Sequence, residues 1–304
     1  MLPVPPSAAG VDTLIYRGDH VAVGAFRCPP EHPLFEDSGP IRDHCFVFPR
    51  TAVEIQHANL RPFQGDPTVI TLYNPGQRYR RRVTSPEGDH CDYYAVSPQV
   101  TDEALRLYDP GAMDSVGGFR ATVVSSPASR YLQQREFFRR LLTEGVNDAL
   151  MVEESVLTLL GDVLAYGNET RAGKASEGSS RTTRLIEDAR RLLATAFDRP
   201  LRLSVVARQL SCSPFHLCRV FRQGTGLTLH RYREQIRLRR ALHLIERRMD
   251  LTNVALDLGY SSHSHFTAAF RRTFGTTPKL VRALLRAGIV PVEHRRPGFT
   301  GVGR

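Results

Sequence analysis

The sequence contains one short pattern twice, SPFHLCRVFRQGTG at residues 213–226 and SHSHFTAAFRRTFG at residues 262–275. Aligned at an offset of 49 residues, the copies share a leading serine, two large apolar residues, an arginine and a final glycine. The matched pairs are Ser213 and Ser262, Leu217 and Phe266, Phe221 and Phe270, Arg222 and Arg271, and Gly226 and Gly275. Serine is a strongly preferred N-cap residue. Each copy therefore predicts a short, capped, basic helix.

A shorter helical segment precedes each copy. Its candidate N-caps are Ser204 in the first copy and Thr252 in the second. The pattern then breaks at Ser211–Cys212 and at Gly259, and Pro214 suits the first position of the helix that follows. A short helix, a three- or four-residue turn and a second helix form a helix-turn-helix. The sequence thus predicts two such units.

Each second helix has a side that faces the core and a side that faces outward. The core-facing residues are Leu217, Phe221, Phe266 and Phe270, which a spacing of four residues places on one face. The outward-facing residues are Phe215, Cys218, Arg219 and Arg222 in the first unit, and His263, Ser264, Thr267, Ala268 and Arg271 in the second. An α-helix fits the major groove of DNA, where arginine can bond guanine through two hydrogen bonds. Arg222 and Arg271 are expected nearer the phosphates than the bases.

Basic residues are concentrated in the second part of the chain. The 304 residues carry a formal net charge of +10. Residues 1–180 hold 17 Arg and Lys against 23 Asp and Glu, a charge of −6, whereas residues 181–304 hold 24 against 8, a charge of +16. A compact region this basic is typical of a domain that binds a polyanion, most often nucleic acid. A solvated arginine-rich surface is the alternative.

Residues 181–286 resemble the DNA-binding domain of the AraC/XylS family of transcriptional regulators. The resemblance rests on the segments LCRVFRQGTG, RYREQIRLRRALHLI and VALDLGYSSHSHFTAAFRRTFGTTPKLVR. It implies two helix-turn-helix units joined by a long helix at 229–246. Their recognition helices would enter successive segments of the major groove about one turn, ~34 Å, apart.

One position departs from the family pattern. The family usually has arginine where this sequence has Ala268, whereas the first unit keeps the equivalent Arg219. The second helix would then depend on His263, Ser264 and Thr267 to contact bases, or would contribute mainly shape and phosphate contacts.

The resemblance also implies a function and partners. It predicts a sequence-specific transcriptional regulator that binds double-stranded DNA and is controlled by a small-molecule effector bound in the N-terminal domain. A homodimer is expected, and RNA polymerase is the further partner expected of an activator, although the sequence leaves activation and repression both open. No cofactor, enzymatic activity or membrane association is predicted. A DNA-binding protein that needs no ligand is an alternative.

The N-terminal part contains several short apolar runs separated by proline and glycine. They are VAVGAF (21–26), CFVF (45–48), AVEI (52–55), VITLY (69–73) and DYYAV (92–96). Such runs indicate an antiparallel sandwich or small barrel, which resembles the family's cupin-like sensing and dimerisation domain. The predicted fold is therefore an α+β multidomain protein, with an N-terminal cupin-like β-barrel followed by two helices and a C-terminal all-α tandem helix-turn-helix domain.

Two amphipathic stretches, at 128–142 and 149–166, predict the helices that follow the strands. A small barrel cannot easily bury both apolar stripes, so one of them is a candidate dimer surface. The predicted boundaries are 1–166 for the sensing and dimerisation domain, 167–180 for a flexible linker, 181–286 for the DNA-binding domain and 287–304 for a disordered tail.

A metal-dependent cupin enzyme with a DNA-binding tail is another alternative, with His44, His57 and His90 as its candidate ligands. Metal-dependent cupins resemble one another in an H-x-H motif, which residues 1–180 lack. The adjacent pairs His44–Cys45 and His90–Cys91 offer zinc-binding donors, but neighbours on a strand point to opposite faces. The sequence therefore favours no metal site.

The segment RYRRRV at 78–83 places several arginines on a probable strand in an acidic region. Arg78, Arg80 and Arg82 would share one face. They are candidate effector-binding residues, with ordinary ion pairs to nearby carboxylates as the favoured alternative.

Cysteine content and hydropathy bear on the compartment. The five cysteines are an odd number without framework spacing, which favours reduced thiols in the cytoplasm. No apolar run approaches the length that spans a bilayer, and the first residues do not resemble a secretory signal.

Overall fold

The N-terminal region combines strands with helices, and the C-terminal region is built from helices. The structure, a computed structural model, describes residues 10–58, 60–112, 117–145, 148–172, 180–247 and 249–287. Its strands are β1 (Asp12–Arg17), β2 (Val21–Cys28), β3 (His44–Pro49), β4 (Val53–His57), β5 (Phe63–Gly65), β6 (Val69–Tyr73), β7 (Tyr79–Val83), β8 (Asp89–Val96) and β9 (Val123–Ser125). Its helices are α1 (Pro98–Tyr108), α2 (Ala128–Glu144), α3 (Ala149–Ala172), α4 (Ser180–Thr195), α5 (Leu203–Gln209), α6 (Pro214–Thr225), α7 (Leu229–Glu246), α8 (Leu251–Asp257), α9 (His263–Phe274) and α10 (Pro278–Ala287).

The strands form two open antiparallel sheets. One has six strands in the order β1-β2-β8-β3-β6-β9, and the other has three in the order β5-β4-β7. Within the described residues neither sheet closes on itself, and the edge of β7 is met only by an isolated bridge from Ser38 to Tyr79, so the predicted closed barrel is wrong. The prediction of many short antiparallel strands is confirmed. Alternating apolar runs specify strands but not whether a sheet closes on itself.

The two faces of the larger sheet contribute to different cores. Phe46 and Tyr94 are completely buried in a cluster that includes apolar residues of α2 and α3. Val47 and Cys91 point the other way and pack near Tyr79 of the smaller sheet, as expected from the alternation of side chains along a strand. Complete burial of a side chain such as Phe46 stabilises the fold by roughly 1.5–3 kcal/mol.

Helices α2 and α3 lie where the apolar stripes predicted them. Phe138 of α2 and Val156 of α3 are both fully buried in the core beneath the larger sheet. Both stripes therefore contribute to the core, which an open sheet can accommodate more readily than the expected barrel. Helix α1 and strand β9 were not predicted from the sequence.

The segment between the two regions is partly helical. Helix α3 continues to Ala172 and α4 begins at Ser180, so residues 167–172 of the predicted linker belong to a helix. Residues 173–179 and 288–304, which contain the rest of that linker and most of the predicted tail, lie outside the described residues.

The C-terminal helices pack directly against the N-terminal region. Arg135 of α2 donates to both carboxylate oxygens of Glu246 in α7, at 2.7 Å each, and pairs with the buried Asp92 of β8. Arg50 donates to the same Glu246 carboxylate at 2.5 Å and lies 3.6 Å from Asp92. Removing one member of a buried ion pair typically costs about 3–5 kcal/mol. This network fixes α7 against the larger sheet.

Candidate DNA-binding surface

Helices α6 and α9 begin and end with the same local structure. The side chain of Ser213 accepts a hydrogen bond from the backbone N–H of His216 at 3.2 Å, and Ser262 accepts one from His265 at 3.1 Å. Gly226 and Gly275 end the helices in the left-handed region, each at φ 73°, which glycine adopts without strain. The predicted N-caps of both second helices are confirmed.

The first helix of each unit begins differently from the prediction. Arg202, not Ser204, is the N-cap of α5, and it makes no side-chain cap hydrogen bond. Asp250, not Thr252, is the N-cap of α8, and its carboxylate accepts the backbone N–H groups of Thr252 and Asn253 at 2.8 and 3.3 Å. Aspartate is as good an N-cap as serine, and the prediction overlooked it because the sequence match began two residues later.

The turns between the helices are related but differ in length. Ser211 has φ 52° and Gly259 has φ 74°, each directly after the C-cap residue of its first helix. The next backbone N–H bonds in the same way, from Cys212 to Ala207 and from Tyr260 to Ala255, both at 3.0 Å. The second turn then contains one additional residue before its serine cap. The first helices of the two units therefore align at an offset of 48 residues, whereas the second helices align at an offset of 49.

Each second helix is seated on its apolar face. Leu217 and Phe221 are fully buried under α6, and Phe266 and Phe270 are fully buried under α9. The ring of Phe221 meets that of Tyr232 in α7 edge to face, with centroids 5.3 Å apart. The predicted core face of both helices is confirmed, and the opposite face of each helix is consequently left to solvent.

The outward-facing residues predicted for α6 are exposed. Phe215 has 79 % of its surface accessible, and Cys218, Arg219 and Arg222 are exposed on the same helix. A phenylalanine with this exposure has no packing role in the described chain. The face therefore offers two guanidinium groups beside one bare aromatic ring.

The outward-facing residues predicted for α9 line a shallow depression. His263, Ser264, Ala268 and Arg271 are exposed there, and Thr267 is half-buried. The depression also includes Arg272 and Thr277, which the sequence comparison did not single out. Arg272 donates to Glu234 of α7 at 2.9 Å, so its side chain is held at the edge of this surface.

Helix α7 connects the two units through polar side chains in its N-terminal half. The buried Glu234 accepts the guanidinium of Arg272 from α9. The guanidinium of Arg237 donates to the carbonyl oxygen of Phe197 at 2.5 Å and lies 5.4 Å from the ring centre of Tyr260. Phe197 precedes the first unit and Tyr260 belongs to the second turn. The contacts of α7 therefore constrain the relative position of the two exposed helix faces.

The three arginines predicted as effector ligands lie on the outer surface of β7 or just before it. Arg78 donates to the carboxylate of Asp37 at 2.8 and 2.9 Å, and Arg80 donates to Gln56. Arg82 lies 3.6 Å from a carboxylate oxygen of Glu54. Each side chain thus has a protein partner, which is a carboxylate for Arg78 and Arg82 and an amide oxygen for Arg80.

The histidines proposed as cupin-type metal ligands occupy separate environments. The ring of His44 lies 3.1 Å from the amide oxygen of Asn74, whereas His57 stacks on Tyr73 with ring centres 4.9 Å apart. Burial lowers the pKa of His57 to about 4, so its ring is neutral at physiological pH. His90 lies instead beside His243 of α7, a pairing that no local sequence pattern indicates.

Residues 206–283 match the family model described as a helix-turn-helix domain. This range contains the first unit from the middle of α5 onward, the connecting helix α7, the whole second unit and the first part of α10. The helix-turn-helix domain that this family model describes is of the AraC type. The chain carries an AraC-type domain.

Curated relatives of the AraC-type domain are transcriptional regulators by name. The HTH-type transcriptional regulator GlxA of Rhizobium meliloti is 43 % identical over 93 residues, which are 30 % of this chain and 28 % of that protein. The HTH-type transcriptional activator RhaR of Escherichia coli O139:H28 is 26 % identical over 153 residues, 50 % and 54 % of the two chains. The chain spans about half the length of its curated relatives or less.

Two solved structures illustrate the similarity to known folds. A transcriptional regulator from Chromobacterium violaceum with such a domain is 27 % identical and covers 35 % of this chain and 96 % of its own, with a TM-score of 0.33. ToxT from Vibrio cholerae O395 is 15 % identical over 89 % of this chain and 100 % of its own, with a TM-score of 0.34.

The helices of the described chain are not suited to span a bilayer, because none combines sufficient length with sufficient hydropathy.

Proposed function

We propose that this protein is a sequence-specific transcriptional regulator that binds double-stranded DNA through α6 and α9. The observation that carries the proposal is the pair of equally capped helices, each seated on a buried apolar face and each exposing a polar or basic face. An exposed α-helix fits the major groove. The charge of +16 over residues 181–304 favours association with a polyanion.

The two helices have different roles in this proposal. Arg219 of α6 reads a base edge, with Phe215 and Cys218 beside it, because its guanidinium can bond guanine O6 and N7 together. In α9 this position is Ala268, so His263, Ser264 and Thr267 supply fewer and weaker base contacts. Arg222 and Arg271, near the C-terminal ends of the two helices, bind phosphates.

Salt dependence tests the assignment of the phosphate ligands. The affinity of the full chain for a selected DNA fragment is expected to fall steeply between about 50 and 200 mM salt, because bound arginines release counterions from DNA. The double variant Arg222→Ala, Arg271→Ala should reduce the log–log slope by about 2, one unit for each phosphate that is no longer neutralised. Arg106→Ala, which removes an exposed arginine from α1, is the matched control and should leave the slope unchanged. An equal slope in all three proteins would contradict the assignment.

A cavity between the two regions supports control by a small-molecule effector. It has a volume of about 610 Å³, and its walls include Phe63, Val69 and Val124 from the N-terminal region and Leu227 and Arg239 from the C-terminal region. Small-molecule sites are typically concave, mostly apolar and frequent at domain interfaces. We place the effector here rather than at the arginines of β7.

Arg239 indicates the chemical class of that effector. It is buried, with 3 % of its surface accessible, and its Nε–H has no hydrogen-bond partner among the described residues. Its guanidinium donates to the side-chain oxygen of Gln235 and the carbonyl oxygen of Ser126, neither of which is a carboxylate. Burial lowers the pKa of Arg239 to about 10. A small apolar carboxylate would supply the missing negative charge.

A pair of probes that differ only in charge tests this class. Octanoate is expected to raise the thermal unfolding temperature of the full chain, because a ligand that binds the folded state stabilises it by mass action. The alcohol 1-octanol should raise it less, and Arg239→Gln should remove the difference. An equal response to both probes in the unchanged protein would contradict an anionic effector.

We further propose that the protein is a homodimer whose contact includes α3. Leu150 and Leu157 of that helix have 74 % and 38 % of their surface accessible and lie seven residues apart, a spacing that places them on one side of a helix. Replacing both with lysine should convert a dimer to a monomer in sedimentation analysis, and an unchanged mass would contradict this surface. Activation and a contact with RNA polymerase stay predictions.

A further inference from the structure

Three metal-binding side chains from the two regions of the protein meet at their interface. They are Glu87 in the turn before β8, His90 in β8 and His243 in α7, and their ligand atoms all lie within 4.8 Å of one another. No other group of this kind occurs among the residues that the structure describes. The group is independent of both exposed helix faces and of the cavity beside Arg239.

The same cluster contains buried polar atoms without hydrogen-bond partners. They are one carboxylate oxygen of Glu87 and both ring nitrogens of His243. The other carboxylate oxygen of Glu87 accepts the guanidinium of Arg240. Buried polar atoms are nearly always hydrogen-bonded or bound to an ion, and here three of them lie in one place. One bound ion could interact with all three of these unpartnered atoms.

We propose that Glu87, His90 and His243 bind one divalent transition-metal ion of the Zn²⁺ class across the interface. Zinc takes imidazole nitrogens and carboxylate oxygens at about 2.0–2.2 Å, in tetrahedral sites that can leave one position to solvent. Ligand atoms of such a site are about 3.3 Å apart, so the most distant pair has to approach by at most about 1.5 Å. Half-buried side chains can make this adjustment by small rotations.

The surroundings of both histidines lower the pKa of their rings. Burial together with the positive charges of Arg50, Arg240 and Arg135 lowers the pKa of His243 to about 2, and burial together with Arg27 lowers that of His90. Neutral imidazole is the metal ligand. The lowered pKa of each ring favours the neutral form that a metal ion binds.

The arginines around the cluster oppose a further positive charge. Arg240 also competes directly for the carboxylate of Glu87. Like charges in a partly desolvated site repel strongly, so the ion is expected to bind more weakly than in a structural zinc site. Removal of Arg240 should therefore strengthen binding, although it removes an ion pair.

The position of the cluster gives the ion a structural consequence. Glu87 and His90 belong to the N-terminal region, whereas His243 belongs to the helix that joins the two helix-turn-helix units. A bound ion therefore cross-links the regions and stabilises their packed arrangement. An ion that binds only the folded, packed state raises its unfolding temperature by mass action.

The test is titration of the untagged, chelator-treated full chain with ZnCl₂, followed by calorimetry and by thermal unfolding. One ion per chain is expected, with a rise in unfolding temperature. Removing a residue that only supports a metal ligand typically costs about 10- to 100-fold in metal affinity, so removing a ligand itself in His243→Ala or His90→Ala should cost at least about 100-fold. His230→Ala removes an exposed histidine from the same helix as His243 and should bind like the wild type. Arg240→Met should bind several-fold more tightly.

Two further measurements keep the result interpretable. His243→Gln preserves most of the side-chain volume, and its circular dichroism establishes whether a variant that fails to bind the ion is still folded. Co²⁺ in place of Zn²⁺ should give weak visible bands without the intense near-ultraviolet absorption of thiolate ligands, which excludes the exposed Cys218 as the ligand. The proposal is overturned if the wild type binds no ion, if His243→Ala and His243→Gln bind as the wild type does, or if a thiolate band appears.

Discussion

The two helix-turn-helix units share their caps and core positions but differ in what surrounds them. The first unit has its own apolar cluster with α4, whereas the core of the second unit is continuous with that of the N-terminal region, where α2 contacts α9. The first turn uses Ser211 and the second uses Gly259, followed by one additional residue. The first helix face carries Arg219, and the second has Ala268 at that position. The two units therefore share their second-helix caps and buried residues, and they differ in their exposed faces and in the elements that pack against them.

The largest expected effect concerns two glycines at different places in the units, Gly259 in the second turn and Gly226 at the end of α6. A Cβ added at Gly259 would lie 1.9 Å from the carbonyl oxygen of Asp198, and φ there is 74°. A Cβ added at Gly226, where φ is 73°, would have no neighbouring atom within 4 Å. Gly226→Ala should cost about 1–2 kcal/mol from the left-handed backbone alone, whereas Gly259→Ala should cost more than about 3 kcal/mol because a backbone atom must also move. Urea unfolding followed by circular dichroism compares them, and equal midpoints would contradict the close approach to Asp198.

The next largest effect concerns base recognition, which should differ between the exposed faces of α6 and α9. Arg219→Ala is expected to weaken specific DNA binding by about 1–3 kcal/mol and to relax the base preference at one operator position. Ala268→Arg should add preference in the segment that α9 contacts and leave the other segment unchanged. Affinity measured on a set of single-base operator variants distinguishes the two. An unchanged preference in Arg219→Ala would remove this residue from base recognition.

The helix caps should affect both units alike. Ser213→Ala and Ser262→Ala each remove one side-chain hydrogen bond to the first turn of a helix, and such a loss typically costs about 1 kcal/mol. Thermal unfolding of the two variants should therefore show similar shifts. A clearly smaller shift for Ser262→Ala would indicate that packing of α9 against α2 replaces the contribution of the cap.

The smallest effect concerns Asp250, which caps α8, whereas α5 has no side-chain cap. Hydrogen bonds from the backbone N–H groups of Thr252 and Asn253 hold the pKa of Asp250 below its ordinary value. Because its folded pKa lies below its unfolded pKa of about 3.9, its contribution to stability is present above that value and is lost as pH falls through the folded pKa. Asp250→Asn keeps a cap without the titrating group. Unfolding midpoints followed from about pH 6 to about pH 3 should fall less in this variant, and identical curves would contradict the assignment.

Local features of the fold could be predicted because they depend on short stretches of sequence. Ser213 and Ser262, each followed by apolar residues at helical spacing, located the second helices and their buried faces. The short strands were predictable from alternation, but the open sheets depend on which strands pair across long separations. Helix α1 and strand β9 were not predicted, since α1 buries only Thr101 and Leu105 and β9 has only three residues.

The contacts between the two regions could not be predicted from the sequence. His90 and His243 are 153 residues apart and belong to different regions, and nothing local to either residue indicates the other. The same is true of Arg135 and Glu246, whose ion pair joins α2 to α7. Arg239 carried no signal because an arginine on a helix is ordinarily solvated. Only the packed arrangement shows that it is buried without a carboxylate partner.

We expect two different helix faces of one chain to recognise DNA together. The most direct measurement is selection of genomic fragments by the full chain at near-physiological salt. The account predicts a motif of two segments about one helical turn, ~34 Å or roughly 10 base pairs, apart, with stronger base preference in the segment read by α6. A motif with one segment, or enrichment of no sequence at all, would contradict joint recognition by α6 and α9.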